Sequence, residues 1–277
     1  MLAEKTLEIL RKGEYRYSIL KTVQFKELID YSIFNSKTYK ADELTSTLAR
    51  TQNTVSEGQE TKIILNGRKS ITAALEVMLE GEPGRIAILN FANPFEPGGG
   101  FRRDARAQEE DLCRNSALFP CLQNQRDFYE RNVLENSEYF TNDIIFSPEV
   151  PFFRDDDGNF LSEPKKISVI TSAAPFGWAQ RTIPKSLNAK SLEEVIINRI
   201  LLILSCADIE GIDTLVLGAW GCGAFKNDPE IVAAAFHSAL TSPKFKNRFS
   251  KVIFAVWCPI SNHPNWIAFT KHFPNKD

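Results

Sequence analysis

The chain has 277 residues, 43% of them hydrophobic and 25% charged, with a formal net charge of −2. That is the composition of a folded protein with one sizeable core, and it excludes wholesale disorder. So balanced a charge supplies no global field, so specific DNA or RNA binding and association with an anionic membrane surface are not expected, and any anionic ligand must be held by a local site. Five cysteines without a C-x-x-C pair, and three histidines without H-E-x-x-H or cysteine-flanked spacing, argue against a disulfide framework and against zinc, so no metal and no cofactor is expected.

In chain order, Leu2–Lys12 places Leu2, Ala3, Leu7, Ile9 and Leu10 at helical spacing and stops at Gly13. Its charged residues, Glu4, Lys5, Glu8, Arg11 and Lys12, leave no apolar core for a secretory signal. The most apolar run, 195–207, is broken by Asn198 and Arg199 and is too short for a bilayer span, so the expected location is cytoplasmic, or nuclear in a eukaryotic host. Sequence to about residue 58 reads as irregular. Residues 1–60 are therefore taken as an N-terminal extension packed on a single domain that spans 1–277.

Beyond it, Lys62–Asn66 reads as a strand and Ser70–Leu79 as a helix with Ile71, Ala74, Leu75 and Met78 on one face. Ile86–Phe91 is a largely apolar run between Gly84 and Asn93-Pro94, the pattern of a strand buried on both faces. Similar runs recur at 167–171, Thr214–Leu217 and 252–256, with helical patterns at 192–207 and 230–240. Strands alternating with helices imply βαβ units, a largely parallel sheet and a three-layer α/β/α domain. Asp155-Asp156-Asp157-Gly158-Asn159 opens like a calcium loop, but position twelve is Lys166 and the flanks read as strands, which makes it a hairpin turn.

In open α/β sheets ligands sit beyond the carboxyl ends of the strands, which draws attention to the loops after Phe91 and Leu217. The first carries Gly98-Gly99-Gly100 and, seven residues later, Gln108-Glu109-Glu110. Consecutive glycines remove every Cβ and permit positive φ, so backbone can approach a ligand closely. Adjacent glutamates cannot flank a glycosidic bond as two separated carboxylates do; one is left for chemistry and the other for holding. Burial and a carboxylate neighbour would raise the pKa of a general acid, while Arg103, Arg106 or a helix N-terminus would oppose this. Taken alone, the glycines also fit a flexible turn and the glutamates an ordinary surface pair.

The second loop, 218–229, runs from a buried strand through Gly218, Gly221 and Gly223 into a helix, an arrangement that presents N–H groups to phosphate. Its spacing is that of neither a P-loop nor a Rossmann fingerprint. Phe225, an aromatic in a polar loop, suits a ribose or a base. Cys222 has no histidine near it in sequence and fits a small residue in a crowded turn better than a nucleophile. Arg102, Arg103 and Arg106 stand among Asp104, Glu109, Glu110 and Asp111, so phosphate steering or plain solvation suits them better than an RNA patch.

The triple glycine, the seven-residue spacing and Gln108-Glu109-Glu110, extended by Ala105-Arg106-Ala107, Leu112-Cys113-Arg114, the 218–229 loop and Thr6 to Tyr15, resemble the microbial-type poly(ADP-ribose) glycohydrolases, a divergent branch of the macrodomain fold. The resemblance implies an α/β fold, a three-layer α/β/α macrodomain-like mixed sheet with an N-terminal helical extension. It implies hydrolysis of ribose–ribose bonds in poly(ADP-ribose), exo-type, by a monomer whose partners are ADP-ribose, poly(ADP-ribose) and ADP-ribosylated proteins. Glu110 would be the acid/base catalyst and Glu109 would orient the ribose. Asn93, Gly98, Gly99, Gly100 and Gln108 would line the ribose and diphosphate. Gly218, Gly221, Cys222, Gly223 and Ala224 would form the diphosphate loop, with Phe225 pressing on the terminal ribose. Lys226 departs from the small residue common there in relatives. Two alternatives remain: hydrolysis of a mono-ADP-ribosyl bond on protein, and a non-catalytic ADP-ribose reader, against which the carboxylate pair argues.

Overall fold

The computed structural model describes residues 2–50, 60–81, 84–135, 137, 139–178, 191–258 and 262–274. In chain order it has α1 (Leu2–Lys12), β1 (Glu14–Arg16), β2 (Thr22–Gln24), α2 (Lys26–Asn35), β3 (Lys37–Tyr39), α3 (Ala41–Arg50), β4 (Lys62–Asn66), α4 (Ser70–Leu79) and β5 (Ile86–Phe91). There follow α5 (Gln108–Asn115), α6 (Leu118–Gln123), α7 (Arg126–Glu135), β6 (Ile144–Arg154), β7 (Phe160–Ser172), α8 (Leu192–Ile209), β8 (Thr214–Leu217), α9 (Pro229–Thr241), β9 (Lys251–Ala255) and α10 (Pro264–His272).

Seven strands form one sheet in the order β3-β6-β7-β5-β8-β9-β4. β7, β5, β8, β9 and β4 run parallel, whereas β6 is antiparallel to both β7 and β3. The sheet is therefore largely parallel, as the alternation of strands and helices implies, and mixed only through β6, which runs against the rest because a tight hairpin instead of a crossover helix joins it to β7. That hairpin turns at 155–159, as the sequence indicates: Asp155 Oδ1 accepts from the N–H groups of Asp157 at 3.0 Å and Asn159 at 2.9 Å.

The strands alternate their side chains between two cores, which makes three layers. Ile88, Val216 and Ile253 face Ile71, Ala74 and Val77 of α4. Ala87, Leu89, Leu215, Leu217 and Phe254 face Ile196, Ile200 and Ile203 of α8 and Phe236 of α9. Arg199, which interrupts the apolar run of α8, is buried and braces the chain before β6 and the end of β7. It donates to Asn142 Oδ1 at 2.8 Å and to the carbonyls of Ala173 and Tyr139 at 2.6 Å each.

The reading of residues 14–58 as irregular needs correction as far as the described residue 50. This stretch holds a β-hairpin, two helices and β3, whose Thr38 pairs with Ile145 inside the main sheet. Three-residue strands are too short to show a period. The extension also braces the loop after β5: the Ala3 N–H donates to Asp104 Oδ1 at 3.2 Å, and Thr6 Oγ1 to the Arg114 carbonyl at 2.9 Å.

Candidate active site

β5 and β8 are hydrogen-bonded neighbours, Ala87 opposite Leu215, so the two glycine loops leave the sheet side by side. After β5 the chain turns at Asn93, whose Oδ1 accepts from the N–H groups of Phe95 at 2.8 Å and Glu96 at 2.9 Å. Gly98 and Gly99 then take φ of 70° and 54°, conformations that penalise any Cβ. A Cβ on Gly99 would stand 2.6 Å from Glu110 Oε1 and 3.1 Å from Glu109 Oε2, so the glycine is what lets the loop close on both carboxylates.

Those glutamates occupy the first turn of α5 and are only 3% and 8% exposed. Gln108 fixes them relative to the sheet: its Oε1 accepts from the Phe91 N–H at 2.9 Å and its amide donates to the Leu89 carbonyl at 2.8 Å. Glu109 accepts from the Asn93 N–H at 2.8 Å and from Asn90 Nδ2 at 3.1 Å. Glu110 Oε1 accepts from the Gly100 N–H at 2.8 Å and Oε2 from the Ala107 N–H at 3.1 Å. The last is the glutamate half of a capping box; Ala107 has no acceptor to return the other half. Burial pushes the Glu109 carboxyl up to about 8, with a smaller push from the Glu110 charge, against the pull of the Asn93 and Asn90 donors.

The pair opens on a cleft of about 710 Å³ between the two loops, a size suited to a small ligand. Of the residues that the sequence pointed to, Asn93, Gln108, Glu109, Glu110, Gly221, Gly223, Ala224 and Phe225 line it. The remaining five stand behind that surface. Gly98 backs onto Phe119 and Cys113, Gly99 and Gly100 cradle Glu110, and Gly218 packs on the Ala255 carbonyl and Phe91. The Cys222 thiol lies 3.6 Å from the Trp220 carbonyl, and burial raises its pKa to about 12, which leaves no thiolate for nucleophilic work. The profile of the microbial-type PARG catalytic domain matches residues 3–155. The chain belongs to this family.

Solved structures agree along nearly the full length. The poly(ADP-ribose) glycohydrolase of Thermomonospora curvata is similar with 34% identity and a TM-score of 0.89, covering 98% of each chain. The same enzyme bound to the inhibitor ADP-HPD gives 33%, 0.86 and the same coverage. That of Deinococcus radiodurans in complex with ADP-ribose gives 32% and 0.79, covering 91% of this chain and 99% of that one. No curated protein sequence matches.

Within this PARG-type domain an aromatic cluster ties the loops together. Phe225 meets Phe176 edge-on at 4.7 Å, Phe176 meets Phe140 at 4.9 Å, and Phe140 meets Phe95 at 5.4 Å. Lys226 has φ 58°, the left-handed region in which glycine is favoured. Its carbonyl lies against Gly177, where a Cβ would stand 2.2 Å from it. Sequence reasoning missed Lys69, Trp257 and Asn265 as cleft residues and passed over Asp156 as a mere turn. Trp257 was within reach, since it follows β9 at its carboxyl end. Nothing local in the sequence marks the other three.

Proposed function

We propose that this protein hydrolyses the ribose–ribose O-glycosidic bonds of poly(ADP-ribose) from the chain terminus, releasing ADP-ribose, with Glu110 as general acid and base. The observation that carries this reading is the buried Glu109–Glu110 pair held by backbone donors at one end of the cleft. The ADP-ribose and ADP-HPD complexes of the related enzymes support it.

In this reading the terminal ribose rests between the carboxylates and Phe225. Its diphosphate lies along the 219–225 loop, and Trp257, 57% exposed on the far rim, offers a face to the adenine. Each Glu110 oxygen keeps a lone pair beyond its single backbone bond. Glu110 gives its proton to the departing ribose oxygen as the anomeric C–O bond breaks and an oxocarbenium-like centre forms. The carboxylate then takes a proton from the water that attacks this centre, which restores the acid. Glu109, whose pKa burial raises, orients the ribose, and in its neutral form it puts no second negative charge beside the carboxylate that Glu110 becomes on giving up its proton. The domain works as a cytoplasmic monomer and needs no metal.

Incubation with purified polymer and, separately, with mono-ADP-ribosylated protein tests this. Release of free ADP-ribose from the polymer, with the protein-linked unit left in place, supports the proposal. Release only from the mono-modified protein favours the mono-ADP-ribosyl hydrolase, and binding without release favours a reader.

A further inference from the structure

Three arginines precede the buried glutamates, and they are differently occupied. Arg102 lies 5.3 Å over the Phe119 ring, and Arg103 pairs with Glu96 at 2.7 Å. Arg106 is exposed, lines the cleft and has no hydrogen-bond or ion-pair partner among the described residues. The other cations on the cleft are engaged. Arg114 bonds Asp111 and the Ala105 carbonyl, and Lys69 stands 3.7 Å from Asp111 and 5.8 Å over the Trp257 ring.

Arg106 is also tied to the proposed catalytic carboxylate through the backbone, since the next residue, Ala107, donates its N–H to Glu110 at 3.1 Å. A planar guanidinium fork matches phosphate oxygens, and Arg106 lines the cleft from the segment just ahead of α5, apart in sequence from the loop that takes the terminal diphosphate. When a ribose–ribose bond is cut, the departing oxygen belongs to a ribose that carries the next unit's own phosphate at its 5′ carbon. We propose that Arg106 binds the diphosphate of this penultimate unit, and so makes the site selective for polymer over a single ADP-ribose. The inference rests on Glu110 being where the bond is cut.

Steady-state hydrolysis of size-fractionated polymer by wild type, Arg106→Ala and Arg106→Lys, with calorimetric binding of free ADP-ribose, tests it. For Arg106→Ala we expect KM for polymer to rise about three- to tenfold and to depend less on salt, as for a lost phosphate contact at an exposed site. We expect kcat and the Kd for ADP-ribose to stay within twofold. Arg106→Lys should recover part of the loss, keeping the charge without the fork. An unchanged polymer KM in Arg106→Ala overturns the inference, and so does a parallel loss of ADP-ribose affinity, which would put Arg106 on the terminal unit. Wild-type protein that releases nothing from polymer overturns the glycohydrolase reading itself, an outcome distinct from an active wild type with an indifferent variant.

Discussion

Glu110 takes one backbone hydrogen bond on each carboxylate oxygen, and this decides what a substitution there reports. Glu110→Gln keeps the shape but turns an NH2 toward either the Gly100 or the Ala107 N–H, so it loses proton transfer and one bond of the cradle. Turnover of polymer should fall by ~10² to 10⁴-fold. ADP-ribose affinity measured by calorimetry should change only a few-fold. Hydrolysis near the wild-type rate would remove Glu110 from the chemistry. Glu109 differs in kind, because burial raises its carboxyl from 4.5 to about 8. Between those values the native state keeps a proton that the unfolded chain has lost. Its contribution is therefore most favourable below the unfolded pKa and declines as pH rises toward the folded one. Glu109→Gln, neutral at every pH, should flatten the fall in Tm between about pH 5 and pH 9. Parallel melting curves for variant and wild type across that range would contradict a neutral Glu109.

At the scale of loops and strands, the glycines separate into two kinds. Gly223 has open space where a Cβ would go and no positive φ, so Gly223→Val should melt like wild type and lose ADP-ribose binding by tenfold or more. Gly99→Val forces a Cβ into Glu110 from a left-handed backbone and should cost ~1 to 3 kcal/mol of stability in addition to activity. A thermal melt beside the titration distinguishes them. An unchanged affinity in a folded Gly223→Val would sink the phosphate-loop reading. Lys226→Gly should raise Tm by about one to three degrees, since relief at φ 58° outweighs the added freedom of the unfolded chain; a lower Tm would mean that the Lys226 side chain is needed. The central strands β5 and β8 were legible because burial on both faces writes continuous apolar runs, and they match the sequence reading residue for residue, as does the partly buried edge strand β4. β3 was not, because three residues carry no period and its place beside β6 is decided by partners more than a hundred positions away.

For the whole molecule, the site divides by what is local. The triple glycine, the glutamate pair and the second loop are each continuous in sequence, so their chemistry could be read there. The far wall, from Leu2, Lys69, Asp156, Trp257 and Asn265, is assembled from five separate segments and exists only once the sheet is built. No group of three or more His, Cys, Asp or Glu side chains suited to a metal stands together among the described residues. Chelators should accordingly leave polymer hydrolysis unchanged. Loss of activity in EDTA that Mg²⁺ or Zn²⁺ restores would contradict a reaction run by the carboxylate alone.

The start of α4 shows how these parts depend on one another in time. Lys69 at its N-cap supplies no side-chain bond; that end is closed by Asp156, 84 residues after Thr72, which accepts from the Thr72 N–H at 2.6 Å and from Thr72 Oγ1 at 2.8 Å. Asp156 sits at the tip of the long β6–β7 hairpin and also borders the cleft. Helix, hairpin tip and cleft wall are thus completed by one long-range closure, whose entropy must be met before any of its contacts is gained. During synthesis or refolding the glutamates of α5 are in place on the chain well before there is a cleft around them. Activity should return with the last tertiary step, and a half-folded chain should have no means of cutting polymer.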